Sequence, residues 1–458
     1  MNSKSVPFDA PRSSALSAAL GSCASSTGWQ GQQPGATAVR RAAASRPPWA
    51  ARMLQRLLQQ LQYGRLTVHW PDGQSAHYGP GGQGAPAAPA AHAADPAGGA
   101  PIELRMHDWR VCAAVLKSGD IGFGEAYLAG QWDTPDLAAL LRLLLRNRAV
   151  LERLIHGHWA GRLLHRLRHL LNRNTRANSR KNIQAHYDLG NDFYRLWLDP
   201  GMNYSSAWFQ GQPDGDLAAA QRAKLSRALN QAGVQPGQRV LEIGCGWGAL
   251  AEQAAQAFGA HVTGITLSGE QLAYAQQRMQ ALGLAQQADL RLQDYRDLHL
   301  GPGQAPFDAI CSIEMVEAVG REYWPTYFAA LARLLKRGGR ACIQSIVIRD
   351  ELFEPYAAST DFIQQHVFPG GCLPSAAEFR RQAALAGLRV VDELAFGPDY
   401  AETCRRWHSA FLAQRQAARE QGFDARFERL WAFYLAYCEA GFDQGDIDVL
   451  QFTLEHDQ

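Results

Sequence analysis

Val240-Leu241-Glu242-Ile243-Gly244-Cys245-Gly246-Trp247-Gly248 is the stretch that decides the fold. Its first half is an apolar run that reads as a buried strand, Arg239–Ile243. Its second half breaks into glycine and feeds a helical pattern over Ala249–Phe258. The glycines fall at every second position, so the turn differs from the dinucleotide pattern Gly-x-Gly-x-x-Gly. Such a turn lets backbone approach a ligand where any Cβ would collide, with the next helix N-terminus aimed at the same spot. A carboxylate just before the turn, here Glu242, is the usual companion when the ligand is S-adenosylmethionine. Strand, acid, turn and helix together point to a methyl-donor pocket; a plain strand–helix connection is the alternative.

Outward from this turn, strands and helices alternate. Strands are expected at Arg239–Ile243, His261–Thr266, Leu290–Gln293, Phe307–Ile313 and Gly339–Ile348, with helices between them at Gly269–Leu282 and Tyr323–Leu335. That alternation predicts a doubly wound, mostly parallel sheet, a Rossmann-like α/β domain. Ligands in such sheets sit at the carboxyl ends of the strands, by the switch point. The glycine turn, Thr266-Leu267-Ser268, Asp294-Tyr295 and Glu314 all fall at those ends.

The chain has 458 residues, 47% of them hydrophobic, and a net charge of +2, so the overall balance singles out no partner. Its eight cysteines are scattered, without Cys-x-x-Cys or metal-ligand spacing. That favours free thiols over a disulfide frame and predicts no metal site. With no apolar run long enough to cross a bilayer and no charged-then-apolar leader pattern, a cytoplasmic location is expected.

Residues 1–48 are rich in Ala, Ser, Gly and Pro and read as a disordered tail. Residues 50–150 read as a small α+β domain. Met53–Leu61 is expected as a helix, Gly64–Trp70 as a strand before the Pro71-Asp72-Gly73 turn, and Ile102–Met106 as a second strand; the helices Trp109–Leu116, Gly124–Ala129 and Pro135–Leu145 follow. Gly79–Ala100 is a low-complexity loop. From Leu141 to Lys181, eleven Arg or Lys stand against one acid, Glu152, with Leu and Ile among them at helical spacing. Residues 151–182 therefore read as a basic helical linker. An anionic membrane surface suits such a helix, and a solvated basic face is the bland alternative. Neither interleaved aromatics nor a named nucleic-acid motif accompanies it, so no nucleic-acid partner is expected.

Several segments resemble the cyclopropane-fatty-acyl-phospholipid synthase family. They are Ile183–Tyr194 (Ile-Gln-Ala-His-Tyr-Asp-Leu-Gly-Asn-Asp-Phe-Tyr), Met202–Ala207, the Glu242–Gly248 turn, Gly264–Gln271, Gln293–Asp297, Glu314–Gly320, Phe368–Ser375 and Tyr437–Phe442. The resemblance runs from about residue 50 to the C-terminus. It implies a Rossmann-like class I methyltransferase domain at 183–458, preceded by the small α+β domain as a lipid-binding module. The implied activity moves a methylene group from S-adenosylmethionine to the cis double bond of an unsaturated phospholipid acyl chain in the membrane, forming a cyclopropane fatty acid. A peripheral position on the inner membrane face and a homodimer are also implied.

By the same resemblance, Tyr204, Ser205, Glu242, Gly244, Cys245, Gly246, Trp247, Gly248, Thr266, Leu267, Ser268, Gln271, Asp294 and Tyr295 would hold the methyl donor. The second strand ends without an acid for the ribose hydroxyls, and Ser268 and Gln271 are expected there instead. A bound bicarbonate would serve as base, held by Ser206, Glu317, Gln344, Ile346 and Tyr400. Cys438 is a further catalytic candidate, and a packed thiol is its alternative reading. Glu317 and Tyr400 have bland readings too, as a core-paired carboxylate and a core hydrogen-bonding phenol. His186 and Tyr187 precede a stretch that would serve equally as a lid or a hinge, and Trp247 would stack on the donor or shield the turn.

The chain departs from the best-known members at three positions. Ser206 and Gln344 stand where those carry Cys and His, and Ala318 replaces a His after the glutamate. Ser and Gln still hydrogen-bond an oxyanion. Branches of the family with similar Glu-Ala-Val-Gly segments are associated with ring formation and also with methyl or methylene branching, so branching stays open beside cyclopropanation. A non-catalytic lipid-binding protein that kept the fold is the reading from outside enzymology.

Overall fold

The computed structural model describes residues 47–81, 101–155 and 189–457. The expected tail, the low-complexity loop, most of the basic linker, and His186 and Tyr187 lie outside the described residues.

The N-terminal part opens with helix α1 (Trp49–Leu58), which buries Ala51, Leu54, Leu57 and Leu58 along one face. Strands β1 (Leu66–His69), β2 (Ser75–Tyr78) and β3 (Ile102–Met106) follow, then α2 (Arg110–Leu128), β4 (Trp132–Asp133), α3 (Leu137–Arg146) and α4 (Arg148–Ile155). The sheet order is β2-β1-β3-β4, with β1 and β3 parallel. The Pro71-Asp72-Gly73 turn closes β1 onto β2 as expected, Gly73 N donating to Trp70 O and Gln74 N to Asp72 Oδ1. The two helices expected between Trp109 and Ala129 are present as the two helical stretches of α2, separated at Gly119, whose φ of 58° and ψ of −128° are not helical.

The second part runs α5 (Asn191–Arg195), α6 (Leu217–Gln231), β5 (Arg239–Ile243), α7 (Ala249–Phe258), β6 (His261–Thr266), α8 (Gly269–Ala281), β7 (Ala288–Leu292) and β8 (Phe307–Ile313). It continues with α9 (Trp324–Leu334), β9 (Leu335–Ile348), α10 (Asp350–Ala357), α11 (Phe362–His366), α12 (Ala376–Leu385), β10 (Leu388–Ala395), α13 (Gly397–Ala413), α14 (Arg415–Glu420), α15 (Ala425–Asp443) and β11 (Ile447–His456). These strands form one seven-stranded sheet in the order β10-β11-β9-β8-β5-β6-β7. Pairing is parallel throughout except that β11 runs antiparallel to both neighbours. The chain leaves β5 toward β6 and β7, then returns to β8 on the other flank. The switch point therefore lies between β5 and β8, where the glycine turn sits.

The core of the small sheet takes in helices of the C-terminal part, through Phe362, Phe433, Ala436 and Ala440. Phe433 of α15 is buried against Phe362, with ring centroids 4.5 Å apart, and against Tyr127 at 5.6 Å and Trp132 at 6.5 Å. Arg429 of the same helix donates to the Trp132 carbonyl at 2.8 Å and lies over the Tyr127 ring. The described residues from Pro47 onward form one compact unit. No described helix is long and apolar enough to cross a membrane.

Phe433→Ala should cost about 3–5 kcal/mol, the range for emptying a buried phenylalanine site. Urea unfolding followed by tryptophan fluorescence should remain a single transition at a lower midpoint. Two resolved transitions in the wild type would instead mean independent domains.

Candidate active site

The glycine turn is held open by its backbone. Gly244, Gly246 and Gly248 have φ of 85°, 49° and 84°, a left-handed alternation that side chains with a Cβ resist. Gly244 N and Cys245 N both donate to the Ile265 carbonyl at 2.9 Å, tying the turn to the end of β6. A Cβ at Gly246 would meet nothing within 4 Å, because it would project into the cavity. At Gly248 it would come within 3.0 Å of the Ala275 Cβ, so that glycine serves the packing of α8 against the turn.

The cavity at these strand ends is lined by Tyr204, Ser205, Glu242, Gly244, Cys245, Gly246, Trp247, Thr266, Leu267, Gln271, Asp294 and Tyr295. Twelve of the fourteen residues expected to hold a donor are therefore brought together. The exceptions are Gly248 and Ser268. Ser268 is buried as the N-cap of α8, its hydroxyl accepting from Gln271 N. Of the two, Gln271 reaches the cavity wall, and its side-chain oxygen takes a hydrogen bond from the Thr266 hydroxyl at 3.2 Å. Asp294 is engaged by Arg296 through two side-chain bonds, at 2.9 and 2.6 Å.

Two buried polar atoms on this wall, Glu242 Oε2 and the Tyr295 hydroxyl, have no hydrogen-bond partner among the described residues. Burial drives the Glu242 carboxyl well above its usual range. The ammonium and hydroxyl groups of S-adenosylmethionine are complementary to such atoms, and the open space at Gly246 admits the donor's close approach. The residues present fit the methyl donor.

Sequence reasoning missed the groups that hold this wall in place. Lys224 of α6 is fully buried, lines the cavity, and donates from Nζ to Ser205 Oγ at 2.5 Å. Burial lowers its pKa to about 8, against the pull of Glu314, Asp199 and Glu242. In sequence it reads as one more lysine on an amphipathic helix. Arg278 of α8 donates to the Gly201 carbonyl at 2.8 Å and pairs with Glu252, bracing the turn from behind. Asn191 of α5 accepts from the Trp247 indole at 2.6 Å, which favours the shielding role for Trp247 over a freely stacking one.

The residues expected around a bicarbonate do converge, but on the chain's own carboxylates. Glu314, at the end of β8, lines the cavity beside Ser205 and Lys224. Its Oε1 accepts from Ser206 N at 2.9 Å and from Gln344 Nε2 at 2.7 Å, and its Oε2 accepts from the Tyr400 hydroxyl at 2.6 Å. The Ser206 hydroxyl turns away and donates to the Ala207 carbonyl at 2.9 Å. The backbone N–H of Ile346 donates to Glu317 Oε1. Burial, with the Glu314 charge second, pushes the Glu317 carboxyl up to about 8, so at neutral pH it is mostly the neutral acid.

Cys438 lies on α15 and is not part of the cavity wall. Burial raises its thiol, and the charges of Asp361 and Glu314 raise it further, so a thiolate is disfavoured. Its environment is that of a packed thiol, partly buried against the aromatic cluster that contains Tyr400 and Tyr434.

The family model described as mycolic acid cyclopropane synthetase matches residues 174–452. A tuberculostearic acid methyltransferase of Mycobacterium tuberculosis is 42% identical over 347 residues, covering 74% of this chain and 79% of that protein. The cyclopropane-fatty-acyl-phospholipid synthase of Escherichia coli K12 is 35% identical over 357 residues, covering 77% and 88%. Among solved structures, the cyclopropane synthase MmaA2 of Mycobacterium tuberculosis matches with a TM-score of 0.56 and 32% identity, over 60% of this chain and 97% of that one. The mycolic acid cyclopropane synthase CmaA1, complexed with SAH and CTAB, matches with a TM-score of 0.55 and 34% identity over the same shares.

Gly246→Val should weaken S-adenosylmethionine binding by at least about tenfold, because the left-handed backbone strains a branched residue by roughly 1–3 kcal/mol and the side chain enters the cavity. Calorimetric titration checks this, with an unchanged circular dichroism spectrum as the control for folding. Glu317→Gln tests the buried acid. Folding raises this carboxyl from 4.5 to about 8, so its contribution to stability is complete below the lower value and is lost as pH rises through the upper one. The variant should therefore gain on the wild type, by on the order of a few kcal/mol, as pH is raised across that window. Parallel stability curves for the two proteins from pH 5 to 8.5, read by thermal melts, would show the carboxyl to be ionised throughout.

Proposed function

The chain belongs to the mycolic acid cyclopropane synthetase family and is an S-adenosylmethionine-dependent methyltransferase, and on that premise we propose that it builds a cyclopropane ring on the cis double bond of an unsaturated phospholipid acyl chain. The observation that carries this reading is the aromatic wall joined to the donor cavity. Tyr204 lines the cavity on one side, while its ring packs on Tyr194, Trp197 and Trp407 at 5.4–5.6 Å and its hydroxyl meets that of Tyr434 at 2.8 Å.

S-adenosylmethionine supplies an electrophilic methyl group. An alkene is a poor nucleophile, so the chain's own task is to orient the acyl segment and exclude water. Methylation leaves a positive charge on the acyl chain, which aromatic faces stabilise. In this reading the Gly244–Gly248 turn, Thr266, Gln271, Asp294 and Tyr295 position the donor. In the same reading the smaller sheet and α1 meet an anionic membrane surface, with a homodimer as the working assembly, while Arg142 and Arg148 are paired with Glu439, Asp443 and Asp446.

Methyl or methylene branching of the same acyl chains is the second reading. The 42% identical relative named as a tuberculostearic acid methyltransferase favours it, together with Ser206, Gln344 and Ala318. Incubation with S-adenosylmethionine and vesicles of cis-unsaturated anionic phospholipid, followed by mass spectrometry of the released acyl chains, decides between them. A gain of one CH2 that survives mild hydrogenation establishes the ring, and conversion of that gain to a saturated methyl branch establishes branching. No gain on any unsaturated lipid would sink both.

A further inference from the structure

The resemblance assigned five groups to a bound bicarbonate, and the geometry leaves that ion without its partners. Ser206 N, Gln344 Nε2 and the Tyr400 hydroxyl are spent on Glu314, and Ile346 N is spent on Glu317, itself the fifth group. The orientation of Gln344 is fixed from behind. Its Oε1 accepts from Gln451 Nε2 at 3.0 Å, and Gln451 also donates to the Lys224 carbonyl and accepts from Arg227. The amide nitrogen of Gln344 is thereby committed to Glu314. A further anion would have to sit beside the Glu314 carboxylate, near the buried ammonium of Lys224, with its expected donors already engaged. The site does not fit bicarbonate.

Resting on the alkene-methylation reading, we infer that Glu314 carries within the chain the negative charge expected of that ion, and that its carboxylate takes the proton released from the methylated acyl chain. Among the described residues Glu314 is one of three non-glycines with positive φ, at 51°, a conformation that costs a side-chain residue and is kept where the surroundings enforce it. Here the Glu314 N–H donates to the Gln344 carbonyl at 2.8 Å, so the strained residue is pinned by the same residue that receives its carboxylate. A carboxylate offers about four acceptor sites. Three are filled by Ser206, Gln344 and Tyr400, which leaves one on Oε2, and Glu314 is among the residues that line the cavity. Burial raises this carboxyl above the usual range, which makes it a stronger base than an exposed glutamate.

The step balances. The alkene π pair forms the new C–C bond to the methyl carbon as the C–S pair leaves with sulfur, placing one positive charge on the acyl chain. A C–H bond of the added methyl then breaks. Its electron pair closes on the cationic carbon as the last ring bond, and the proton passes to Glu314 Oε2 to give the neutral acid. In branching, a hydride shift first moves the cation to the methyl-bearing carbon, and the same proton loss leaves an exocyclic double bond.

Two measurements on the full chain test this. The first uses [13C]bicarbonate alone, followed by NMR line broadening. The wild type should not retain the ion, whereas Glu314→Gly should, because glycine suits the left-handed backbone and frees three donors. The second is turnover in carbon-dioxide-stripped buffer. Wild-type activity should be indifferent to added bicarbonate, while Glu314→Gly and Glu314→Gln should each lose about 100-fold or more, the usual worth of a general base. Bicarbonate or formate should return at least about tenfold to the glycine variant and nothing to the glutamine variant, whose amide fills the space. Retention of bicarbonate by the wild type, loss of its activity in stripped buffer, or near-normal turnover by Glu314→Gln would each overturn the inference. If the wild type adds no carbon to any cis-unsaturated lipid, the alkene reading fails by itself, and the NMR measurement still decides whether Glu314 stands in for the anion.

Discussion

A lysine ammonium buried among carboxylates sets the terms for this pocket. Lys224 lies fully within the protein, under the influence of Glu314, Asp199 and Glu242. Removing such charges from water costs several kcal/mol per ion even after relaxation, by order of magnitude, and only dense hydrogen bonding offsets it. The chain supplies that density. Lys224 is fastened to Ser205, Asp199 takes the backbone N–H groups of Gly201 and Asn203, and Glu314 takes three donors from three separate elements. The 202–206 loop is thereby locked against α6, β9 and α13 at once. Its shape follows from the charges it encloses.

That locking explains why the unusual edge of the sheet matters. Gln451 orients Gln344 from β11, the only antiparallel strand of the large sheet, and Tyr400 arrives from α13, which connects β10 toward that strand. The donor side of the cavity is built at the ends of β5, β6 and β7, and Glu314 stands at the end of β8, held by Gln344 of β9 with Gln451 of β11 behind it. The two halves meet at the switch point. Helix α15 then links this arrangement to the small N-terminal sheet through Phe433 and Arg429. Lipid contact by that sheet and chemistry at Glu314 would therefore act on one packed body.

The parts of the fold legible in sequence were those whose physics is local. Strands β5, β6 and β8 appear where expected because parallel strands buried on both faces read as short apolar runs between turns. Strand β9 is four residues longer than expected, since Lys336, Arg337 and Gly338 hide its polar beginning. Strands β10 and β11 went unassigned: past Leu388, β10 alternates exposed with only half-buried residues, and β11 is specified by pairing with β9 far away in sequence. The same distinction governs the site. The donor wall was legible because a glycine pattern encodes it within a few residues. Lys224 and the role of Glu314 were not, because helix α6, the 202–206 loop, β8, β9 and α13 meet only in three dimensions.

Glu314 also shows why substitution at Ser206 and Gln344 need not mean a lost function. Read alone, exchanging Cys and His for Ser and Gln looks like the weakening of an anion site. Read with Glu314, the exchanges are mutually consistent. An ionised carboxylate accepts hydrogen bonds and donates none, so its neighbours must present N–H or O–H groups whatever the local protonation. The amide of Gln344 presents its N–H2 permanently once Gln451 holds its oxygen, whereas an imidazole donates from a given nitrogen only in one tautomer or when charged. The Ser206 side chain turns to a carbonyl and leaves the backbone N–H to do the binding. A covalently held carboxylate cannot diffuse away and arrives already oriented, so the ordering that a free ion would require at each turnover is completed once, during folding.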